Sequence, residues 1–400
     1  MSRLRLSLSV AILLVVAGLM AGAVAKENKP VANTLTPEQM LMAAAHEDRA
    51  DIVDYLLQKG ADPNQEGADG STPLMIAASR GNIDAMDVLL RHQAAPNHQR
   101  SDGWTALMEA AHKGQIRAVK HLLGAGASAE LTEARDGQTA LMIAARNDRP
   151  DVVSALLEGG ASVDTVDARR GLTALHYALS GRKDRQQIEQ RDPALDIAAE
   201  LIGAGADINA AATDGWTPLM SAVGSGELAR IALAIDAGGD VSALTDDGRS
   251  PLWLAAEAGT AEIVRLLLKH DARDEGGQAA LVAATRGNNL EIAKQLIEAG
   301  APLDGTDGKG RSALLVAARA GEADFVAFLL ESGASVNFVN AQDGTTALMW
   351  AANGGFMTIV RRLLASGADP TIRAQDGWTA DAAADMAGHE EIVRLLRKGA

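Results

Sequence analysis

The sequence predicts an all-α solenoid of about eleven stacked helix pairs, and three observations carry that expectation. Ten glycines recur along the chain: Gly70, Gly103, Gly137, Gly171, Gly215, Gly248, Gly277, Gly310, Gly344 and Gly377. Successive members differ in number by 33, 34, 34, 44, 33, 29, 33, 34 and 33. A period this steady marks one supersecondary unit repeated along the chain. The phrase around each glycine repeats as well: DGSTPLMIAA from Asp69, DGWTALMEAA from Asp102, DGQTALMIAA from Asp136 and DGTTALMWAA from Asp343. Aromatic residues make up only 3% of the chain. Thin Ala/Leu layers between stacked helices need few large rings, whereas a single central core of this size would use more.

The segment from Met1 to Ala25 stands apart from the repeats. Arg3 and Arg5 precede an almost wholly apolar run from Leu6 to Met20, and Ala23-Val24-Ala25 supplies small residues for cleavage. This is the layout of a secretory signal peptide, with cleavage expected after Ala25 and a flexible leader over residues 26–35. The stretch from Leu6 to Ala25 is also just long enough for an uncleaved N-terminal anchor. With no cysteine there are no disulfides, no thiolate metal sites and no N-terminal lipid. A periplasmic location is expected, with secretion or N-terminal membrane anchoring as the alternatives. No membrane insertion is expected once the signal is removed.

Within the unit, each residue type has a physical reason. Asp-Gly suits a turn that needs a positive φ at the glycine. The Thr or Ser that follows is a helix N-cap with Pro or Ala at the first helical position, as in Thr72-Pro73, Thr217-Pro218 and Ser250-Pro251. The Leu and the Ala pair beyond it share one helix face, and alanine lets neighbouring helices approach closely. A second, Ile/Val/Leu-rich helix then closes in Leu-Leu-x-x-Gly-Ala, as in Val152–Ala161 and Ile263–Ala272. Its stop is a C′ glycine: Gly60, Gly126, Gly160, Gly205, Gly238, Gly300, Gly333, Gly367 and Gly399. Gln93 and Asp271 stand in that place in two units, where a less sharply set helix end is expected.

Turn, cap, helix pair and the Gly-Ala-Asp-x-Asn exit (Gly60 to Asn64; Gly205 to Asn209) occur in one order, and this order resembles the ankyrin repeat from about Thr36 to Ala400. One departure is systematic. The family's Thr-Pro-Leu-His appears as Thr-x-Leu-Met in most copies and only His176 keeps the histidine, so Met is expected to fill that gap by packing. Such Leu-Met copies look like those of bacterial ankyrin proteins. The resemblance implies β-hairpin fingers between the helix pairs and a concave face, on a curved rod on the order of 100 Å long. Residues 36–68 read as an N-terminal cap repeat, opened by the capping-box sequence Thr36-Pro37-Glu38-Gln39. Residues 376–400 read as a C-terminal cap, with Asp381 and Asp385 where inner copies have Leu and Ala. The resemblance also implies a protein-binding scaffold.

Two intervals break the period. The long one places an insertion over residues 180–193, SGRKDRQQIEQRDP, readable as a solvated helical extension or as a binding loop. The short one removes about four positions between Asp271 and Gly277, so a truncated finger is expected there. It also leaves Ala279 without a capping hydroxyl, a loss of roughly 1 kcal/mol. Residues 271–285 are the expected weak joint.

No enzymatic signature is present. The eight histidines (46, 92, 98, 112, 121, 176, 270 and 389) contain no i, i+4 pair, and there is no Gly-x-Ser-x-Gly or phosphate loop. No cofactor, no metal and no catalytic residue are expected, and the chain is read as not an enzyme. A hydrolase using an Asp–His pair across neighbouring repeats remains the rival of another class.

The functional signal lies in one column, the residue between the turn glycine and the cap: Ser71, Trp104, Gln138, Leu172, Trp216, Arg249, Gln278, Arg311, Thr345 and Trp378. In ankyrin proteins this column faces the concave side. The column is expected to be exposed, and Trp104, Trp216, Trp378, Arg249 and Arg311 give it the composition of an interface hot spot. Packing of each ring on its neighbouring finger is the competing reading. The helix-end residues His112, Lys113, Arg286 and Arg319 would border the same groove, while Trp253 and Trp350 are expected in the core. The net charge is −15, and becomes −17 without Arg3 and Arg5, which disfavours nucleic acid and anionic membrane. The expected function is a non-catalytic, monomeric periplasmic scaffold that captures a partner protein. An effector that leaves the cell and binds a host protein is the alternative.

Overall fold

The computed structural model describes residues 36–181, 192–274 and 277–398. The expected signal peptide and leader, most of the 180–193 insertion, and Gly399 lie outside the described residues. Those residues are all-helical and fall into two compact units, one up to Asp207 and one from Ile208.

The first unit holds α1 (Pro37–His46), α2 (Ala50–Gln58), α3 (Pro73–Arg80), α4 (Ile83–Arg91), α5 (Ala106–Lys113), α6 (Ile116–Gly124), α7 (Ala140–Arg146), α8 (Pro150–Glu158), α9 (Ala174–Ser180) and α10 (Pro193–Gly203). The second holds α11 (Pro218–Ser225), α12 (Leu228–Asp236), α13 (Pro251–Ala258), α14 (Ala261–Lys269), α15 (Ala280–Arg286), α16 (Leu290–Glu298), α17 (Ala313–Ala320), α18 (Ala323–Glu331), α19 (Ala347–Asn353), α20 (Met357–Ala365), α21 (Ala380–Met386) and α22 (Glu390–Lys398). Within each unit odd-numbered helices stack on odd and even on even. We call the odd series inner and the even series outer.

Inner helices of seven or eight residues are too short to persist alone in water, so caps and burial must hold them. Thr72 Oγ1 accepts the Met75 N–H at 3.3 Å, Thr105 that of Met108 at 3.2 Å, and Ser250 that of Trp253 at 3.0 Å. The Thr36 capping box is complete in both directions, at 3.3 and 3.0 Å. The Ala pairs (Ala77 and Ala78, Ala110 and Ala111, Ala317 and Ala318) are fully buried between neighbouring helices. Met75, Met108, Met142, Met220 and Met349 are buried in one column. Trp253, Val282 and Leu315 occupy the same column, and different shapes are tolerated in these copies because apolar packing fills the place. His176 sits there too, buried, accepting the Thr173 N–H at Nδ1.

Outer helices end as the sequence implies, and more uniformly. Gln93 (φ 66°) and Asp271 (φ 65°) adopt the same left-handed conformation as Gly126 (φ 84°). The closing bonds match as well: Ala94 N to Leu89 O at 2.9 Å and Ala127 N to Leu122 O at 2.9 Å. The softer helix end expected at these two positions is therefore corrected. The geometry is kept, and a side chain bears the left-handed strain.

From several exit turns a side chain reaches to the next repeat of the stack. Asn64 accepts from Ala95 N at 2.7 Å, Asn209 from Asp240 N at 2.8 Å and Asn337 from Asp369 N at 2.8 Å. Each also donates to the carbonyl of the residue at the neighbouring C′ position: Gln93, Gly238 and Gly367.

The fingers are turns, and the expected β-hairpins do not form as strands. The turns close with backbone bonds within a few residues, such as Arg100 N to Trp104 O at 2.9 Å with Gly103 N to Arg100 O at 2.7 Å, or Ala374 N to Trp378 O at 2.8 Å with Gly377 N to Ala374 O at 2.9 Å. Others join a turn to its neighbour, such as Ala134 N to Asp102 O at 2.8 Å. Among the described residues a single isolated bridge, Thr306 with Ser312, has ladder geometry. The turn bonds stay within one turn or link single residues of neighbouring turns, so no run of paired residues builds a ladder.

The expected uncapped helix at Ala279 is also corrected. Asp274, from the shortened loop, accepts the Ala280 and Leu281 N–H groups at 2.6 and 3.2 Å, so a carboxylate takes the place of the missing hydroxyl. At the last described inner helix, Asp385 is exposed and Asp381 half-buried, and Arg397 lies 3.6 and 3.3 Å from them.

Candidate functional site

The turn column lies beside the inner helices, where Trp216 meets Ser221 and Thr345 meets Trp350, each five positions on. In the first unit Trp104 is half-buried. The Arg100 guanidinium lies 5.9 Å from its ring centre, and the His112 ring meets it edge-on at 5.8 Å. Arg100 is held by both carboxylate oxygens of Asp102 (2.8 and 2.7 Å), by Ser71 Oγ (3.2 Å) and by Glu109 (3.4 Å). Burial pushes the Glu109 carboxyl above its ordinary range, opposed by the charges of Arg100 and Lys113. Desolvation pushes the His112 imidazole down, and Lys113, Arg146 and Arg149 add to that shift. Further along, Gln138 donates to the Tyr177 hydroxyl at 2.7 Å, and that hydroxyl donates to the buried Asp167 at 2.6 Å. Burial, then the bond to Asp167, raises the Tyr177 phenol far above its usual range.

In the second unit Trp216 Nε1 donates to Ser221 Oγ at 2.9 Å. Arg249 pairs with Asp247 at 2.8 Å, and its guanidinium lies 4.8 Å from the Trp253 ring centre. Arg311 binds Asp307 through two nitrogens (2.9 and 2.7 Å), and Arg286 binds the same carboxylate. Burial alone would raise Asp307, but the bonds from Arg311 and from backbone N–H groups bring it below its ordinary value. Trp378 meets Trp350 edge-on at 5.9 Å, and the Arg319 guanidinium lies 4.4 Å from the Trp350 ring centre.

The structure changes the sequence expectation in two places. The column is not exposed: Ser71, Gln138, Leu172 and Thr345 are buried, while Trp104, Trp216, Arg249, Gln278, Arg311 and Trp378 are half-buried. Each of these rings and guanidiniums is braced by a neighbour because a residue at the mouth of a turn packs on the adjoining helix. Trp350, expected in the core beside Trp253, is half-buried and joins Trp378, whereas Trp253 is indeed buried. Lys113, Arg286 and Arg319 are exposed at the inner-helix ends, with His112 half-buried beside Lys113.

Sequence reasoning missed Glu109, Tyr177, Ser221 and Trp350, each five positions after a column residue. The spacing was visible, but its meaning needs the inner helix placed beside the turn. Among the described residues no group of His, Cys, Asp and Glu could hold a metal, and no helix is long and apolar enough to cross a membrane.

Stacked helix pairs with tight turns, and a row of braced side chains along the inner-helix ends, define a helical repeat protein. The sequence model described as ankyrin repeats (3 copies) matches residues 40–133, 110–188, 188–275, 269–340 and 333–400, and the chain belongs to the ankyrin repeat family. No curated protein matches the chain.

Proposed function

We propose that the chain is a non-catalytic scaffold that captures a partner protein on the inner-helix ends and the adjoining turn column. The ankyrin family, typically a protein-interaction fold, supplies the class of function. The observation that carries the reading in this chain is the half-exposed tryptophans and arginines at the inner-helix ends, Trp104 beside exposed Lys113 in the first unit, and Trp216, Arg249, Arg311 and Trp378 with exposed Arg286 and Arg319 in the second. Trp and Arg dominate interface energetics because they bring large contact area with few rotors and fork-shaped donors. Their bracing favours binding, since side chains already held in place lose less entropy on contact.

The working compartment in this reading is the periplasm, reached through the signal-like segment from Met1 to Ala25, with the chain monomeric there. The test is capture from a periplasmic extract on immobilised chain, beside a variant carrying Trp104→Ala, Trp216→Ala and Trp378→Ala. A protein held by the parent and lost by the variant supports the scaffold. Each ring packs on a neighbour, so the variant is expected to melt several degrees lower, and capture is compared well below that temperature. Capture unchanged by the variant would remove the column from the site, and no capture from any extract would remove the scaffold reading.

A further inference from the structure

The inner-helix ends of the first unit differ from those of the second in one electrostatic respect. In the second unit the cations are occupied: Arg286 and Arg311 share Asp307, Arg249 pairs with Asp247, and Arg319 covers Trp350. In the first unit Arg80, Lys113 and Arg146 stand exposed in the last turns of α3, α5 and α7. Among the described residues, none of the three makes an ion pair or a side-chain hydrogen bond, and the same is true of the exposed Arg149 beside them. The His112 imidazole beside Lys113 feels Lys113, Arg146 and Arg149 together. Between Arg80 and Lys113 opens a cleft of about 350 Å³ with Met75 and Ile76 among its lining. A cluster of unpaired like charges is costly to a fold. On a chain of net charge −15 it is also a local exception.

We propose that this strip binds an extended acidic segment of the partner protein, with carboxylates at every third position. The inference rests on the scaffold reading and narrows the partner's chemistry. The three helices stack in sequence, and stacked helices lie about 10 Å apart. An extended chain rises about 3.3 Å per residue, so every third side chain comes into register with the next cation. Carboxylates at i, i+3 and i+6 meet Arg80, Lys113 and Arg146, and the half-buried Trp104 supplies an apolar edge beside Lys113. A nucleic-acid strand carries a charge on every nucleotide, so its charges cannot be confined to the spacing of the three cations. Phosphates lying between the cations would go unmatched beside Asp69 and Glu109, which line the cleft, whereas a peptide can place uncharged residues there.

The test uses the full chain and three fluorescein-labelled probes at low salt. These are a Ser/Thr nonapeptide with Glu at positions 2, 5 and 8, the same composition with the three Glu adjacent, and a nine-nucleotide single-stranded DNA. The spaced peptide is expected to bind at least tenfold tighter than either of the others. The variant Arg80→Gln, Lys113→Gln, Arg146→Gln is expected to lose at least tenfold of that affinity while melting no lower than the parent. The control Lys120→Gln, Lys269→Gln on the outer helices should bind as the parent does. Equal binding of the adjacent-Glu peptide or the DNA would reduce the strip to a general polyanion surface and overturn the proposal, as would undiminished binding by the neutral variant. If the neutral variant also captures the same proteins from extract as the parent, the acidic-segment proposal fails while the scaffold stands. Only loss of all capture by the parent strikes the scaffold itself.

Discussion

Asn97 grips the exit turn of the unit that follows it with both ends of its amide. Its Nδ2 donates to the Gly126 carbonyl at 3.0 Å while its Oδ1 accepts the Ser128 N–H at 2.7 Å. The two bonds fix one helix pair on the next at their exit turns. Asn97→Ala removes both, and the expected loss is about 1–2 kcal/mol, read by urea unfolding. Asn97→Asp keeps the acceptor and should lose less. A neutral Asn97→Ala would show that helix packing alone sets the spacing.

Two kinds of left-handed glycine should respond differently to a side chain. At Gly103, a Cβ would lie 2.6 Å from the Ala134 backbone nitrogen, against the neighbouring turn. At Gly126 nothing lies within 4 Å of where the Cβ would be. Gly126→Ala therefore meets only the backbone strain of about 1–2 kcal/mol. Gly103→Ala adds a steric clash that must break the bond from Ala134 N to Asp102 O, and should be clearly the worse of the two in thermal melts.

The same logic runs in reverse at Gln93 and Asp271, which hold φ of 66° and 65°. Replacing either by glycine relieves the strain, offset in part by glycine's extra freedom in the unfolded chain. A net gain of about 0.5–1 kcal/mol is expected from Gln93→Gly. Asp271→Gly also loses the ion pair to Arg273 at 3.0 Å, which is exposed and contributes little. A loss of stability on Gln93→Gly would mean that its side chain matters more than its backbone.

Glu109 should leave a pH signature. Its carboxyl is raised above the ordinary 4.5 by burial, so the folded state holds its proton more tightly than the unfolded chain does. That contribution is fully present below the ordinary value and is lost as pH rises through the higher folded one. Glu109→Gln stays neutral throughout, so its stability relative to the parent should climb across that window and level off above it. Urea midpoints from pH 4 to 8 read the difference. A flat difference would show that Arg100, 3.4 Å away, cancels the burial cost.

Most of the fold was legible because each element carries its own local signal. Thr72, Thr105 and Ser250 cap where the phrase puts them, and Gly60, Gly126 and Gly367 turn the chain at the expected exits. What was not legible depends on how the short loops fold against the helices. Nothing local announces that Asp274 will cap a helix in place of Ala279, or that Gln93 will be held in a glycine's conformation by its neighbours. The site was half legible. The column was found from its spacing, but its exposure was overestimated because bracing by residues such as Ser221 and Trp350 appears only when the inner helix is set against the turn.

Lysine labelling of the chain, alone and with captured protein, tests the central claim most directly. Lys113 is exposed at an inner-helix end, while Lys120, Lys269 and Lys294 are exposed on outer helices. A partner held on the inner-helix ends should shield Lys113 and leave the other three reacting at their free rates. Shielding of the outer lysines with Lys113 still reactive would place the partner on the opposite series of helices and contradict the reading.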